Sequence, residues 1–187
     1  MDGDIITDRL LLRRFRPGDL EALHAYVSRE DVAQFTSFGP RTRAQSETEL
    51  KRKLADPPMD QAGQMLSRAA VLPGTGQLIG EVLVFVRDVD ARQGEIGYVF
   101  HPDFQGQGYA LEAARAMLGY GFETLEFHRV FARSDARHTA SVSLLEKLGM
   151  RREAHFREHA IFKGEWDNLY IYAMLEDEWA ALKRDGK

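Results

Sequence analysis

Cysteine is absent from all 187 residues. That removes disulfides, thiolate metal sites and any cysteine nucleophile, and it points to a reducing, cytoplasmic setting. Long apolar runs are missing as well. None approaches the roughly 20 residues that span a bilayer, so no membrane partner is expected. The acidic start, Met1-Asp2-Gly3-Asp4, lacks the apolar core of a signal peptide. Positive charge is not in surplus: the net charge is -4, whereas a general nucleic-acid binder is usually basic. No nucleic-acid partner is expected. The Gly-Lys-Ser or Gly-Lys-Thr of a Walker loop does not occur. There are no internal repeats and no low-complexity linker. With 44% hydrophobic residues, the expectation is a single domain over residues 1–187.

What is there reads as a mixed α/β chain. Residues Arg9 to Phe15 suit a strand ended by Pro17-Gly18, with Asp19 as N-cap of a helix through Leu20, Leu23 and Val27. Thr42 and Gln45 have capping-box spacing for a polar helix to about Leu54, expected on the surface at one edge of a substrate cleft. Met65–Leu72 and Gln77–Val86 flank Pro73-Gly74-Thr75-Gly76, a hairpin signal, and Glu95–Phe100 completes an antiparallel meander. A helix over Leu111–Phe122 then leads to a strand at Arg129–Arg133, a crossover that makes the two flanking strands parallel. Thr139–Leu148 is a helix stopped by Gly149, and Lys163-Gly164-Glu165 turns a last hairpin. Glu176–Arg184 closes the chain with acids first and bases last, as the helix dipole favours.

The centre of this order is His101-Pro-Asp-Phe-Gln105-Gly106-Gln107-Gly108-Tyr109-Ala110. A strand that leaves through Pro and re-enters as a helix through two glycines makes an anion seat, because the first helical amides have no internal partner. No acid lies between Gln105 and Leu111 to compete for them. Gly106-Gln107-Gly108 is no dinucleotide fingerprint, since Leu111 holds the third glycine position.

Gln105 to Ala110 resembles the Q/R-x-x-G-x-G/A pyrophosphate motif of GNAT-type N-acetyltransferases. Thr7–Arg13, Ser141–Met150 and Lys163–Asp167 resemble the RimJ/RimL branch in the same order along the chain. The resemblance implies an α+β GNAT-like fold: a mixed, mostly antiparallel sheet of about seven strands with one splayed parallel pair, flanked by helices. It implies acetyl-CoA as donor, no metal, and a primary amine as acceptor. A protein N-terminal α-amine is favoured; a polyamine, amino acid or aminoglycoside is the alternative, and a homodimer is a family-level expectation. A non-catalytic acyl-CoA-binding module is the second class of function.

The amides of Gln107 to Ala110, with Gln105, Gly106 and Gly108, would hold the pyrophosphate. The backbone of Tyr98, Val99 and Phe100 would bind the pantetheine arm, with the Val99 amide as oxyanion donor. Tyr109 would shield the cofactor, or simply pack. Many family members carry a Tyr acid at the position of Leu145, so Ser141 is the substitute acid suggested by the resemblance, against a plain first-turn serine. His138 stands where Asn commonly contacts the cofactor. Glu95 is the first candidate base; Glu158 and His159 come next, each against a plain surface role. His155-Phe-Arg-Glu-His159 has the H-x-x-E-H pattern of zinc proteases, but residues four apart on a strand are separated by roughly 13 Å. The zinc reading is rejected.

Overall fold

The meander becomes the middle of a larger sheet. In the computed structural model, which describes residues 3–184, strands β1 (Ile5–Ile6) and β2 (Leu11–Arg13) precede helices α1 (Leu20–Val27), α2 (Glu30–Ala33) and α3 (Arg43–Lys53). Next come β3 (Met65–Val71), β4 (Leu78–Asp88), β5 (Gln93–Phe100), α4 (Tyr109–Glu123) and β6 (Arg129–Asp135). The chain ends with α5 (Thr139–Lys147), β7 (Arg151–Phe162), β8 (Glu165–Leu175) and α6 (Glu176–Arg184). Met1 and Asp2 of the acidic start lie outside the described residues. The strands form one sheet in the order β1-β2-β3-β4-β5-β6-β8-β7. Every neighbouring pair is antiparallel except β5–β6.

Eight strands among the described residues replace the seven expected, because the first strand is shorter and has a partner. Thr7 N–H donates to the Leu10 carbonyl at 2.9 Å, turning the chain between Ile5–Ile6 and Leu11–Arg13. Arg9 is lost to the strand: its backbone N–H donates to Glu112 Oε1 at 2.8 Å. Asp19 occupies the N-cap position of α1, but its carboxylate does not cap. Instead it takes both terminal nitrogens of the buried Arg13, at 2.7 and 2.8 Å. The Thr42–Gln45 capping box forms as expected, with Thr42 N–H on Gln45 Oε1 at 2.8 Å. At the end of α5, Gly149 has φ +85°, and the Met150 N–H reaches back to the Leu145 carbonyl at 3.1 Å. That is a Schellman closure, which needs the left-handed residue.

Apolar side chains cover both faces of the sheet. On one face Ile96 and Phe100 pack with Met117 and Leu118 of α4 and with Leu145 of α5. On the other, Val71 and Leu78 pack with Leu23 and Val27 of α1 and Leu50 of α3. Strand alternation divides β5 between them: Tyr98 adjoins the first cluster and Val99 the second.

Helix α3 is polar, as its sequence indicated, but its inner face is not free of burial. Ser46, Glu49 and Lys53 are buried there. Glu49 takes Arg52 Nη2 at 2.5 Å and Lys53 Nζ at 3.0 Å, and Lys53 also pairs with Glu81 of β4. Burial pushes the Glu49 carboxyl up, but the Arg52 and Lys53 contacts outweigh it and leave it lowered to about 2. A depressed carboxyl stabilises the fold above its ordinary value of 4.5 and loses that contribution as pH falls toward 2. Glu49→Gln is therefore expected to cost about 3 kcal/mol at neutral pH, the scale for breaking a buried pair. Denaturant melts should show this gap narrowing as pH drops below 4.5.

Candidate active site

The parallel pair is short. Strands β5 and β6 are joined only at Gln93–Arg129, Gly94–Val130 and Glu95–Phe131. Beyond these, β5 stays paired to β4 as far as Phe100, and β6 stays paired to β8 as far as Asp135. The two strands diverge, leaving one edge of β5 without a partner strand from Ile96 onward. Alternation fixes which groups face the gap. His101 N–H donates to Ile79 O on the β4 side at 2.8 Å, and the Val99 carbonyl points the same way, 2.6 Å from where a Cβ on Gly80 would sit. The backbone groups of Tyr98 and Phe100 therefore face the gap. This corrects the expectation for Val99, whose amide is turned into the sheet beside Glu81. Val99 is among the residues that line the cleft. The Phe100 carbonyl is closed by Gln105 Nε2 at 2.9 Å.

Below the gap lies the glycine loop. Gly106 and Gly108 have φ of +72° and +84°, and Gly108 is the N-cap of α4. The loop from Gln105 to Gly108 is exposed, and a Cβ on Gly106 would meet nothing within 4 Å. The N–H groups that open α4 have no acceptor within the helix. Glu112, in the first turn, does not supply one. Its carboxylate accepts from Thr7 Oγ1 at 2.6 Å and Arg9 Nε at 2.7 Å. Arg9 also donates to the Gln107 carbonyl at 2.9 Å and lies 4.6 Å over the Tyr109 ring. The amino-terminal arm thus braces the loop from behind.

Above the gap, Ser141 is buried in the first turn of α5, with its Oγ 2.9 Å from the Tyr98 hydroxyl. Burial pushes the Tyr98 phenol up to about 12, with the Ser141 contact pulling the other way. Leu145, one turn further on, is fully buried in the core. A hydroxyl pair thus occupies the region beside α5 where the resemblance implied a tyrosine. Parity with Ile96 and Phe100 puts the Tyr98 side chain on this face, but its partner on α5 is set only by the tertiary packing.

These groups open onto a cleft of about 470 Å³ that reaches from His138 and Ser141 across β5 to α3. His138 occupies the N-cap position of α5 without a side-chain capping bond and stacks on Phe35, ring centroids 4.4 Å apart. Glu95 lines the cleft, but both its oxygens are taken: Arg87 Nε at 2.6 Å on one, Arg133 Nε at 2.9 Å on the other. A carboxylate clamped by two guanidiniums is badly placed to accept a proton, which counts against Glu95 as the base. Glu158 is exposed on the bulged part of β7, with φ +49°, and is not among the lining residues. His159 does line the cleft, with Nδ1 3.9 Å from Asp167 Oδ2. The His155–His159 segment is indeed a strand.

The sequence pattern described as "Acetyltransferase (GNAT) domain" matches residues 9–151. With the splayed pair and the glycine loop, this places the chain in the GNAT acetyltransferase family. It is 34% identical over 175 residues to an uncharacterized N-acetyltransferase, YnaD, of Bacillus subtilis, covering 94% of this chain and 98% of that one. The crystal structure of a GNAT-family acetyltransferase from Bacillus anthracis superposes with TM-score 0.84 at 33% identity, covering 94% of this chain and all of that one. A [ribosomal protein uS5]-alanine N-acetyltransferase of Escherichia coli is 27% identical over 84 residues, covering 45% of this chain and 43% of that one.

His138 provides a check on the cleft. Burial lowers its pKa from 6.5, and the nearby Asp135 only partly offsets this. A lowered histidine stabilises the fold above pH 6.5, and that contribution fades as pH falls below it. The melting temperature should fall more steeply from pH 7 to 5 in the wild type than in His138→Asn.

Proposed function

We propose that residues 1–187 act as one acetyltransferase domain that moves an acetyl group from acetyl-CoA to an α-amine, the N-terminus of a protein or peptide being favoured. The observation that carries this reading is the open backbone edge of β5 ending on the left-handed glycine loop at the start of α4. The residues present suit such a donor. The α4 amides and the backbone at Gly106, where a Cβ would meet nothing, offer N–H groups to a pyrophosphate, with the Arg9 guanidinium beside Gly108. The Tyr98 and Phe100 edge offers hydrogen bonds to an extended pantetheine arm. Acetyl-CoA supplies an activated thioester, and the remaining chemistry falls to the chain. The ribosomal-protein alanine N-acetyltransferase among the relatives supports an α-amine acceptor, although it matches less than half of the chain.

An α-amine, with a reference pKa of roughly 7.7 to 8.0, must lose a proton before it attacks. His159, beside Asp167 on the cleft wall, takes that proton in this reading, since Glu95 is clamped. The Tyr98 N–H faces the place where negative charge develops on the carbonyl oxygen, a donor position of the oxyanion type. Ser141 delivers a proton to the departing sulfur and draws on the Tyr98 hydroxyl behind it. Transfer is direct, because no cysteine is present to carry the acetyl group.

Calorimetric titration should detect acetyl-CoA binding, and none at millimolar cofactor would sink the reading. Gly108→Val places a branched residue at φ +84°, costing about 1–2 kcal/mol of backbone strain. It should weaken cofactor binding by at least about tenfold while the fold persists. Free-thiol release should fall about a hundredfold in Ser141→Ala, with the Kd for acetyl-CoA little altered. Unchanged turnover would remove Ser141 from the proton path.

A further inference from the structure

The same cleft carries a charge pattern that the transfer step does not use. On β4, β5 and β6, Arg87 and Arg133 share the single carboxylate of Glu95. On α3 and the segment before it, Arg41, Arg52 and Lys53 share Glu49, and Lys53 adds Glu81. Each cluster holds one more cation than anion: two against one, and three against two. All of these side chains line the cleft.

Over the whole lining, Asp135 and Asp167 bring the acids to five against five arginines and lysines, but neither lies in these two clusters. Asp135 is taken by Arg137 at 2.8 Å. Asp167 stands beside His159 on the far wall, its carboxylate largely shielded. Within the second cluster, Arg41 is the least satisfied member. Its one carboxylate contact, to Glu49, is long at 3.4 Å, and its guanidinium lies 4.5 Å over the Phe38 ring. Its Nε is buried with no hydrogen-bond partner. A guanidinium that is stacked, partly desolvated and short of an acceptor is a receptor for a planar oxyanion. Leaving it unmatched is costly, so an acceptor that supplies the missing anion gains most.

Resting on the acetyl-transfer reading, we infer that the acceptor amine carries a carboxylate on the same molecule. Arg41 receives that carboxylate and Asp167 faces the ammonium end before it is deprotonated. Free amino acids and peptides with an acidic residue near the N-terminus share this chemistry. Polyamines do not: they bring no anion to Arg41 and would add positive charge beside the two cation-rich clusters.

The test pairs each acid with its amide. Thiol release is measured with an amino acid and its carboxamide, with an acidic tripeptide and its neutral counterpart, and with spermidine. Each carboxylate-bearing acceptor should have kcat/KM at least about tenfold above its amide, and spermidine should be poorest. Preference within the amino-acid pair or the peptide pair identifies the source. Arg41→Gln should bring the acid-to-amide ratio close to one, and Arg133→Gln, at a half-exposed side chain, should lower it in a protein whose fold is less at risk. Equal turnover of acid and amide, or spermidine as the best acceptor, overturns the inference while leaving acetyl transfer standing. If acetyl-CoA binds but no acceptor releases thiol, the transfer reading fails instead. Titration of the same acids and amides into CoA-saturated protein then still decides the inference: it stands if the acids bind more tightly and Arg41→Gln abolishes the difference, and falls otherwise.

Discussion

The architecture around the cleft depends on two strands that stop pairing. β5 and β6 share three residue pairs and then part, while each remains fully bonded to its other neighbour. A strand edge without a partner inside a sheet carries N–H and C=O groups that need acceptors and donors. In most folds this is a defect to be covered. Here the edge runs from Ile96 to Phe100 and delivers the chain directly onto the glycine loop, where a second set of unpaired amides begins α4. Two stretches of unmatched backbone result, the open edge of β5 and the amides that begin α4, separated by the bonded turn from His101 to Gln105. Neighbouring side chains hold both in place. Arg9 and Glu112 brace the loop, Gln105 ties off Phe100, and the Tyr98–Ser141 contact links β5 to α5 across the gap.

The two faces of β5 divide the work by strand alternation. Ile96, Tyr98 and Phe100 belong with α4 and α5, so the phenol reaches the helix that bears Ser141. Glu95 and Val99 point to the opposite face, among the ion pairs of β4, β6 and α3. Apolar packing on one side thus fixes the Tyr98–Ser141 hydroxyl pair, and salt bridges on the other side fix the charged wall of the cleft. Both rest on the same eight residues of backbone.

Much of this was legible in the chain. Hairpins at Pro73–Gly76 and Lys163–Glu165, the capping box at Thr42 and the stop at Gly149 are local devices, and each formed where its residues indicated. The glycine loop was equally readable, because φ beyond zero at Gly106 and Gly108 is a property of those residues and their neighbours. Three details were not. Asp19 had the look of a helix cap, yet Arg13 claims its carboxylate. Glu95 was placed on the correct strand, but the two guanidiniums that occupy it come from residues eight before it and 38 after it. The Val99 amide was assigned to the gap, although the alternation that turns it toward Glu81 is set by pairing with β4.

The sequence by itself determined the elements, their order, the glycine turn and the family, because each rests on short-range preference and a fixed spacing of residues. Tertiary structure alone decided how far β5 and β6 pair, which amide faces the gap, and that Tyr98 meets Ser141 across 43 residues of chain. It also decided that Glu49, Glu81 and Glu95 are each engaged by cations. Hydrogen bonds and ion pairs between distant residues depend on distances of a few ångström. Those distances are set by how the helices settle on the sheet, and no local pattern in the chain encodes them.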